Sequence, residues 1–232
     1  MSLQSVSRTV DANVRAARQH IAASAQACGR SPDEIHLVAV SKTKPATLIR
    51  AAAAAGCTDF AENYLQEAVP KISELADLDL TWHFIGAIQS NKTQLIARHF
   101  DWVHTVARGK IAERLSAQRP EGQWLNVTIQ VNIDDDPAKA GVAPADARAL
   151  LADIADLPNL RVRGLMTVLR QGSEPLAGYR RLAALFAELA SQAPACWDTL
   201  SMGMSADFAE AITAGATHVR LGTTIFGPRD RV

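Results

Sequence analysis

Three stretches of the sequence bring nucleophilic or anion-binding residue types to the end of an apolar run. The first is His36-Leu37-Val38-Ala39-Val40-Ser41-Lys42-Thr43-Lys44-Pro45. Side chains alternate along a strand, so Val38, Val40 and Lys42 share one face while Leu37, Ala39 and Ser41 share the other. An amine above a floor of valines is partly desolvated, which favours its neutral form and makes it a nucleophile toward carbonyls. Lys42 is the candidate for that role, set against the plainer reading of a lysine in a surface turn. Lys44, beside Pro45 and a helix start, is expected to be solvated.

The second stretch is His218-Val219-Arg220-Leu221-Gly222-Thr223-Thr224. An arginine between two apolar strand residues stays charged and needs a partner: an acidic side chain, a bound anion or a ligand ring nitrogen. Gly222, Thr223 and Thr224 follow it with close backbone approach, N–H groups and two hydroxyls, a composition suited to a phosphate. The third stretch, Ser201-Met202-Gly203-Met204-Ser205-Ala206-Asp207, adds more small and hydroxyl-bearing residues. Helix capping alone would account for Ser205.

For these stretches to meet, the fold must bring three strand ends to one mouth. The run His36–Val40 and seven further stretches read as strands: Asp59–Ala61, Trp82–Ile85, Trp102–Thr105, Leu125–Val131, Val162–Met166, Asp198–Ser201 and His218–Leu221. An alanine-rich helix closed by Gly56 follows the first strand. Helical stretches at Tyr64–Leu75, Lys92–His99, Lys110–Gln118, Pro144–Asp156, Tyr179–Gln192 and Ala206–Ala214 separate the others, and the eighth strand has no helix after it. An extra N-terminal helix places Val6, Val10, Val14, Ala17 and Ile21 on one face and stops at Gly29. Regular strand–helix alternation demands a parallel sheet. Eight units in 232 residues is the arithmetic of an α/β protein built as a single (β/α)8 TIM barrel, with an open doubly wound sheet as the alternative. No Gly/Ser/Pro-rich linker divides the chain, so residues 1–232 read as one domain. The stretches Asp134–Gly141 and Arg170–Pro175 read as loops. In such a barrel the loops after strands seven and eight commonly hold a phosphate.

Composition narrows the function classes. The 24 Lys and Arg balance the 24 Asp and Glu, which argues against binding nucleic acid through a bulk positive field. No run approaches the length of a membrane span, and the N-terminus lacks the apolar core of a signal peptide. Cys28, Cys57 and Cys196 are odd in number and not at metal-ligand spacing, so a cytoplasmic setting without a metal is expected. His83, inside an apolar strand, reads as a satisfied core residue. Glu62 could cap a helix or pair with Arg220 or a lysine, and Asn63 could donate to a ligand oxygen. A lysine facing a phosphate site suits a phosphorylated aldehyde held as a Schiff base, either pyridoxal 5′-phosphate or, in an aldolase, a sugar phosphate.

The segments AVSKTKP (Ala39–Pro45), ENYLQE (Glu62–Glu67), HFIGAIQSNK (His83–Lys92), GLM (Gly164–Met166), LSMGMSADF (Leu200–Phe208) and VRLGTTIFG (Val219–Gly227) resemble, in order, the pyridoxal phosphate homeostasis protein family (YggS/PROSC-like). The sequence departs from that pattern at Ala61, where Gly is usual, and at Ile88, where Leu is usual. The resemblance implies a barrel like the N-terminal domain of alanine racemase with pyridoxal phosphate on Lys42. It implies phosphate contacts from Ser201, Ser205, Gly222 and Thr223. Asn63 and Arg220 would line the cofactor, with Arg220 at either the phosphate or the pyridine nitrogen.

Alanine racemase resembles this chain in its barrel but adds a β-rich domain and, across its dimer, a tyrosine acid/base. Here the sequence stops at Val232, a few residues after the eighth strand, and Tyr64 and Tyr179 are the only tyrosines, with Tyr179 placed in a helix far from any strand end. No catalytic residue is assigned. The expected role is a pyridoxal phosphate carrier that stores, buffers or delivers the cofactor, with PLP-dependent apoenzymes as recipients and a monomer or weak dimer as the assembly. A low-activity amino-acid racemase is the alternative.

Overall fold

The computed structural model describes the backbone of residues 3–228 and the side chains of residues 7–228; the chain ends, and the side chain of Val6, lie outside the described residues. Eight parallel strands close in sequence order: β1 (His36–Val40), β2 (Asp59–Glu62), β3 (Thr81–Phe84), β4 (Trp102–Val106), β5 (Leu125–Gln130), β6 (Leu160–Met166), β7 (Thr199–Ser201) and β8 (His218–Leu221). β1 pairs in parallel with both β2 and β8, so no edge remains and the open-sheet alternative is excluded.

The outer layer comprises α2 (Ala46–Ala54), α3 (Leu65–Glu74), α4 (Thr93–His99), α5 (Gly109–Gln118), α6 (Ala147–Ile154), α7 (Pro175–Leu189) and α8 (Phe208–Thr213). The extra N-terminal helix, α1 (Leu3–Ala27), packs against α2 and α8. It buries the expected stripe of Val10, Val14, Ala17 and Ile21, and Gly29 ends it with a left-handed φ of 75°. Helix α7 begins at Pro175, four residues before the expected Tyr179. Proline suits a first helical turn because its missing N–H would have no partner there. A one-turn helix not read from the sequence, α9 (Thr223–Phe226), follows β8. None of the helices among the described residues is long and apolar enough to cross a membrane.

Alternation along each strand sorts the core into two compartments. Leu37, Ala39, Phe60, Val127, Leu165, Val219 and Leu221 pack outward against the helices. The axis of the barrel is more polar: the rings of His83, Trp102, His104 and His218 lie 5.1 to 6.4 Å apart at their centroids. Burial there holds the His104 and His218 imidazoles well below their ordinary pKa, so both are neutral in the fold. A lowered histidine pKa contributes stability above the unfolded value near 6.5, which is lost as the pH falls below it, because the unfolded chain then takes up protons that the fold refuses. Each ring is expected to steepen acid denaturation below that pH by up to about 1.4 kcal/mol per pH unit. Urea melts from pH 7 to pH 5, compared with His104→Gln and His218→Gln, would measure both slopes.

Candidate functional site

At the carboxyl ends of the strands lies a cavity of about 420 Å³ whose lining includes Val40, Lys42, Lys44, Asn63, Ile85, Met166, Ser205, Arg220, Gly222, Thr223 and Phe226. Six of the seven cofactor-binding residues expected from the sequence therefore come together: Lys42, Asn63, Ser205, Arg220, Gly222 and Thr223. The seventh, Ser201, is placed differently. It is fully buried on the barrel axis, below the cavity wall, and its hydroxyl accepts from Arg220 Nη1 at 2.8 Å and lies 2.7 Å from His104 Nδ1. It shares the inward face of β7 with Thr199, two residues earlier, and so joins the packed interior.

Lys42 stands in the turn after β1, two residues past Val40 and on the side that alternation from Val40 expects, and lines the cavity half-buried. The expectation for Lys44 is overturned. Its side chain is buried, it lines the same cavity, and its Nζ donates to the carbonyl of Pro228, two residues past α9, at 2.9 Å.

The turn that carries Lys42 is clamped from α3. Ser41 donates its hydroxyl to Glu62 Oε1 at 2.7 Å, and Lys71 Nζ binds both Glu62 Oε1 at 2.9 Å and the Ser41 carbonyl at 3.1 Å. Glu67 accepts the Thr43 N–H at 2.8 Å. Glu62 thus pairs with a lysine, one of the partners the sequence allowed. Burial pushes its carboxyl pKa up, against the opposing pull of Lys71 and Ser41. Thr43 is held at φ 63°, a left-handed conformation that costs a β-branched residue about 1–3 kcal/mol and persists only where its surroundings enforce it. The strain sits one residue from Lys42.

Asn63 follows β2 and lines this cavity and a neighbouring one of about 310 Å³. Its side-chain oxygen is buried without a hydrogen-bond partner. Gly86 permits this placement: a Cβ there would lie 2.1 Å from the Asn63 carbonyl oxygen. Ala61, where the sequence departs from the family pattern, is fully buried in β2.

Arg220 faces inward while Val219 and Leu221 pack outward. Besides Ser201 it binds the Thr167 carbonyl at 2.8 Å. Burial lowers its pKa from the ordinary arginine value, while Tyr179 and Asp207 oppose the shift. Ser205 is not the cap of α8. Asp207 occupies the N-cap position and accepts the Met204 N–H at 2.7 Å, which leaves Ser205 in the turn that lines the cavity. Thr223 opens α9, and as at any helix start the leading N–H groups have no partner within the helix.

Tyr179, read from the sequence as remote from the strand ends, packs against the turn after β7, with interactions to Asp207 and the Gly203 backbone; burial pushes its phenol pKa well up. His83 is the satisfied core residue expected, bonded to His104 and Asp59. Among the described residues no group of three or more His, Cys, Asp or Glu is placed to hold a metal.

Residues 8–230 match the family described as alanine racemase, N-terminal domain. A pyridoxal phosphate homeostasis protein of Pseudomonas aeruginosa is 53% identical over 223 residues, 96% of each chain. The structure of PipY from Synechococcus elongatus with PLP bound is 41% identical, with a TM-score of 0.78 over 89% of this chain and all of that one. The alanine racemase of Corynebacterium glutamicum, at 18% identity and a TM-score of 0.64, shares the fold over 91% of this chain and 60% of its own. The chain belongs to the pyridoxal phosphate homeostasis protein family, within the alanine racemase N-terminal domain group.

Proposed function

We propose that this protein holds pyridoxal 5′-phosphate as a Schiff base on Lys42 and serves its homeostasis, storing, buffering or delivering it to apoenzymes in the cytoplasm, without efficient catalysis. The observation that carries the reading is the chemistry of the cavity wall. Its titratable side chains are Lys42, Lys44 and Arg220, all basic, accompanied by the hydroxyls of Ser205 and Thr223 and by apolar surface from Val40, Ile85, Met166 and Phe226. Such a wall suits a flat ring bearing an aldehyde and a phosphate. Asn63, whose side-chain oxygen is buried without a partner, adds a polar residue to the same wall.

When bound, the cofactor supplies an aldehyde for an amine and a ring able to withdraw electrons. In this reading Lys42 supplies the amine, and Ser205, Gly222 and Thr223 bind the phosphate. Asn63 and Arg220 orient the ring, and Ser201 supports Arg220 from behind. Among the described residues no carboxylate, histidine or tyrosine lines the cavity to move a substrate proton, which favours a carrier over a racemase. The relatives' shared name supports the same role. The free thiols of Cys28, Cys57 and Cys196 suit a reducing compartment.

Borohydride reduction of the protein with pyridoxal phosphate, followed by peptide mass mapping, is expected to place the adduct on Lys42. An adduct on Lys44, or none, would overturn the assignment. In parallel, the loaded protein should show no appreciable solvent-deuterium exchange at the α-carbon of added amino acids; robust turnover would defeat the carrier role.

A further inference from the structure

The guanidinium of Arg220 is deeply buried, and its hydrogen bonds among the described residues go to two neutral groups, the Ser201 hydroxyl and the Thr167 carbonyl. A buried cation without an anion in contact is costly, so the groups behind those two neutral partners matter to it, beside the through-space effect of Tyr179 and Asp207. Ser201 Oγ lies 2.7 Å from His104 Nδ1, His104 Nε2 lies 2.9 Å from His83 Nδ1, and His83 Nε2 lies 3.0 Å from Asp59 Oδ1. The path starts on β8 beside the cavity, crosses β7, β4 and β3, and ends at the first residue of β2, at the opposite mouth of the barrel. Asp207 also acts on Arg220, through space; its carboxylate is engaged by the Met204 N–H.

The protons along this path follow from its two ends. Arginine only donates, so Ser201 Oγ accepts from it and has its own hydrogen free to donate to His104 Nδ1. At the far end, burial raises the Asp59 pKa, but hydrogen bonds from His83 and the Thr58 hydroxyl, together with the neighbouring imidazoles, bring it below the ordinary carboxylate value, so Asp59 is a carboxylate and His83 Nε2 carries the proton facing it. With His104 neutral, every link can be satisfied in one direction. His104 Nε2–H donates to His83 Nδ1, and His83 Nε2–H donates to Asp59.

We infer that Asp59 is coupled to Arg220 by a one-directional hydrogen-bond chain through Ser201, His104 and His83, and that these four are positioning residues for the guanidinium at the cavity. Links that all point the same way polarise one another, so a change at one end is felt at the other. The inference rests on the pyridoxal phosphate reading only for what Arg220 faces. Ligand capture at the carboxyl mouth of the barrel is then transmitted along the axis to Asp59.

Long-range proton–nitrogen NMR on the ligand-free full chain labelled at histidine nitrogens tests the chain directly. Both His83 and His104 are expected as neutral Nε2–H tautomers; an Nδ1–H tautomer or an imidazolium at either overturns the inference. Asp59→Asn keeps an acceptor in place but removes the charge, and it should move the His104 Nε2–H proton upfield although the two residues do not touch. Ser201→Ala works from the other end and should move the His83 Nε2–H proton. Either folded variant that leaves the distant ring unmoved contradicts the coupling. Adding pyridoxal phosphate should shift the His83 resonance as the absorbance of the bound cofactor grows. Growth of that absorbance with His83 unmoved breaks the link to the ligand. Absence of the absorbance, with the tautomers and variant shifts as stated, refutes the cofactor reading and upholds the chain.

Discussion

In Lys42→Ala, borohydride reduction in the presence of pyridoxal phosphate should leave no adduct in the cavity, and the yellow colour of the loaded protein should be lost on gel filtration. The groups assigned to the phosphate and ring remain in this variant, so weak reversible binding persists. Losing a covalent bond formed between groups already held in place should reduce retention by about a hundredfold or more, roughly 2.7 kcal/mol. Lys42→Arg separates charge from nucleophilicity: it keeps a cation at the cavity and should fail to form the adduct just as completely. Lys44→Ala is the contrasting variant. Its amine lines the same cavity but is engaged by the Pro228 carbonyl. It should therefore keep the adduct on Lys42. Mass spectrometry of the three reduced variants decides the matter, and an adduct retained in Lys42→Ala would transfer the role to Lys44.

The difference between the two lysines shows how far the sequence could be read. Alternation along β1 places Lys42 above Val40, because side-chain direction in a strand is a local property. The same local logic orients Arg220 between Val219 and Leu221 and brings the glycine and hydroxyl residues after β7 and β8 to one mouth. Lys44 escapes it because its partner, the Pro228 carbonyl, is 184 residues away in sequence. Ser201 ends β7 where the sequence expected the strand to end, but its partners, His104 and Arg220, come from other strands and are not legible locally. Tyr179 is legible as helical, but which strand end its helix shields is a matter of tertiary packing. The short helix α9 follows Gly222 and opens with two threonines, residues of low helix propensity, and forms because Ile225 and Phe226 are buried.

Those distant partners also explain why the site is rigid where it needs to be. The Lys42 turn is fixed by α3, through Lys71 and Glu67, and not by its own sequence. Arg220 is fixed by residues on other elements, Ser201 and Thr167. A reactive group locked by its neighbours holds its geometry without the ligand, which is what the proposed role of a cofactor carrier would require.

That rigidity depends on β7 lying against β6, and Gly164 is a point of β6 with no room for a side chain between the two strands. It pairs in register with Thr199, and a Cβ built on it would stand 1.8 Å from the Thr199 carbonyl oxygen and 2.7 Å from the carbonyl carbon. Its φ of 154° is also one that side-chain-bearing residues rarely adopt. Neither obstacle is the movable end of a side chain, so Gly164→Ala must displace the backbone of β7 or of β6. The destabilisation should reach about 4 kcal/mol, in the range reserved for a severe steric defect, and lower the melting temperature by about 10 °C in a domain of this size. Because β7 carries Ser201 and leads into the turn bearing Ser205, the displacement should also loosen Arg220 and one wall of the cavity. Cofactor retention should then fall even at temperatures where the variant is fully folded. Thermal denaturation followed by circular dichroism, with cofactor binding measured 20 degrees below the variant's own midpoint, distinguishes the two effects. An unchanged midpoint would mean that the strands have room the structure denies them. A lowered midpoint with retention intact would mean that Ser201 and its turn are held independently of β6.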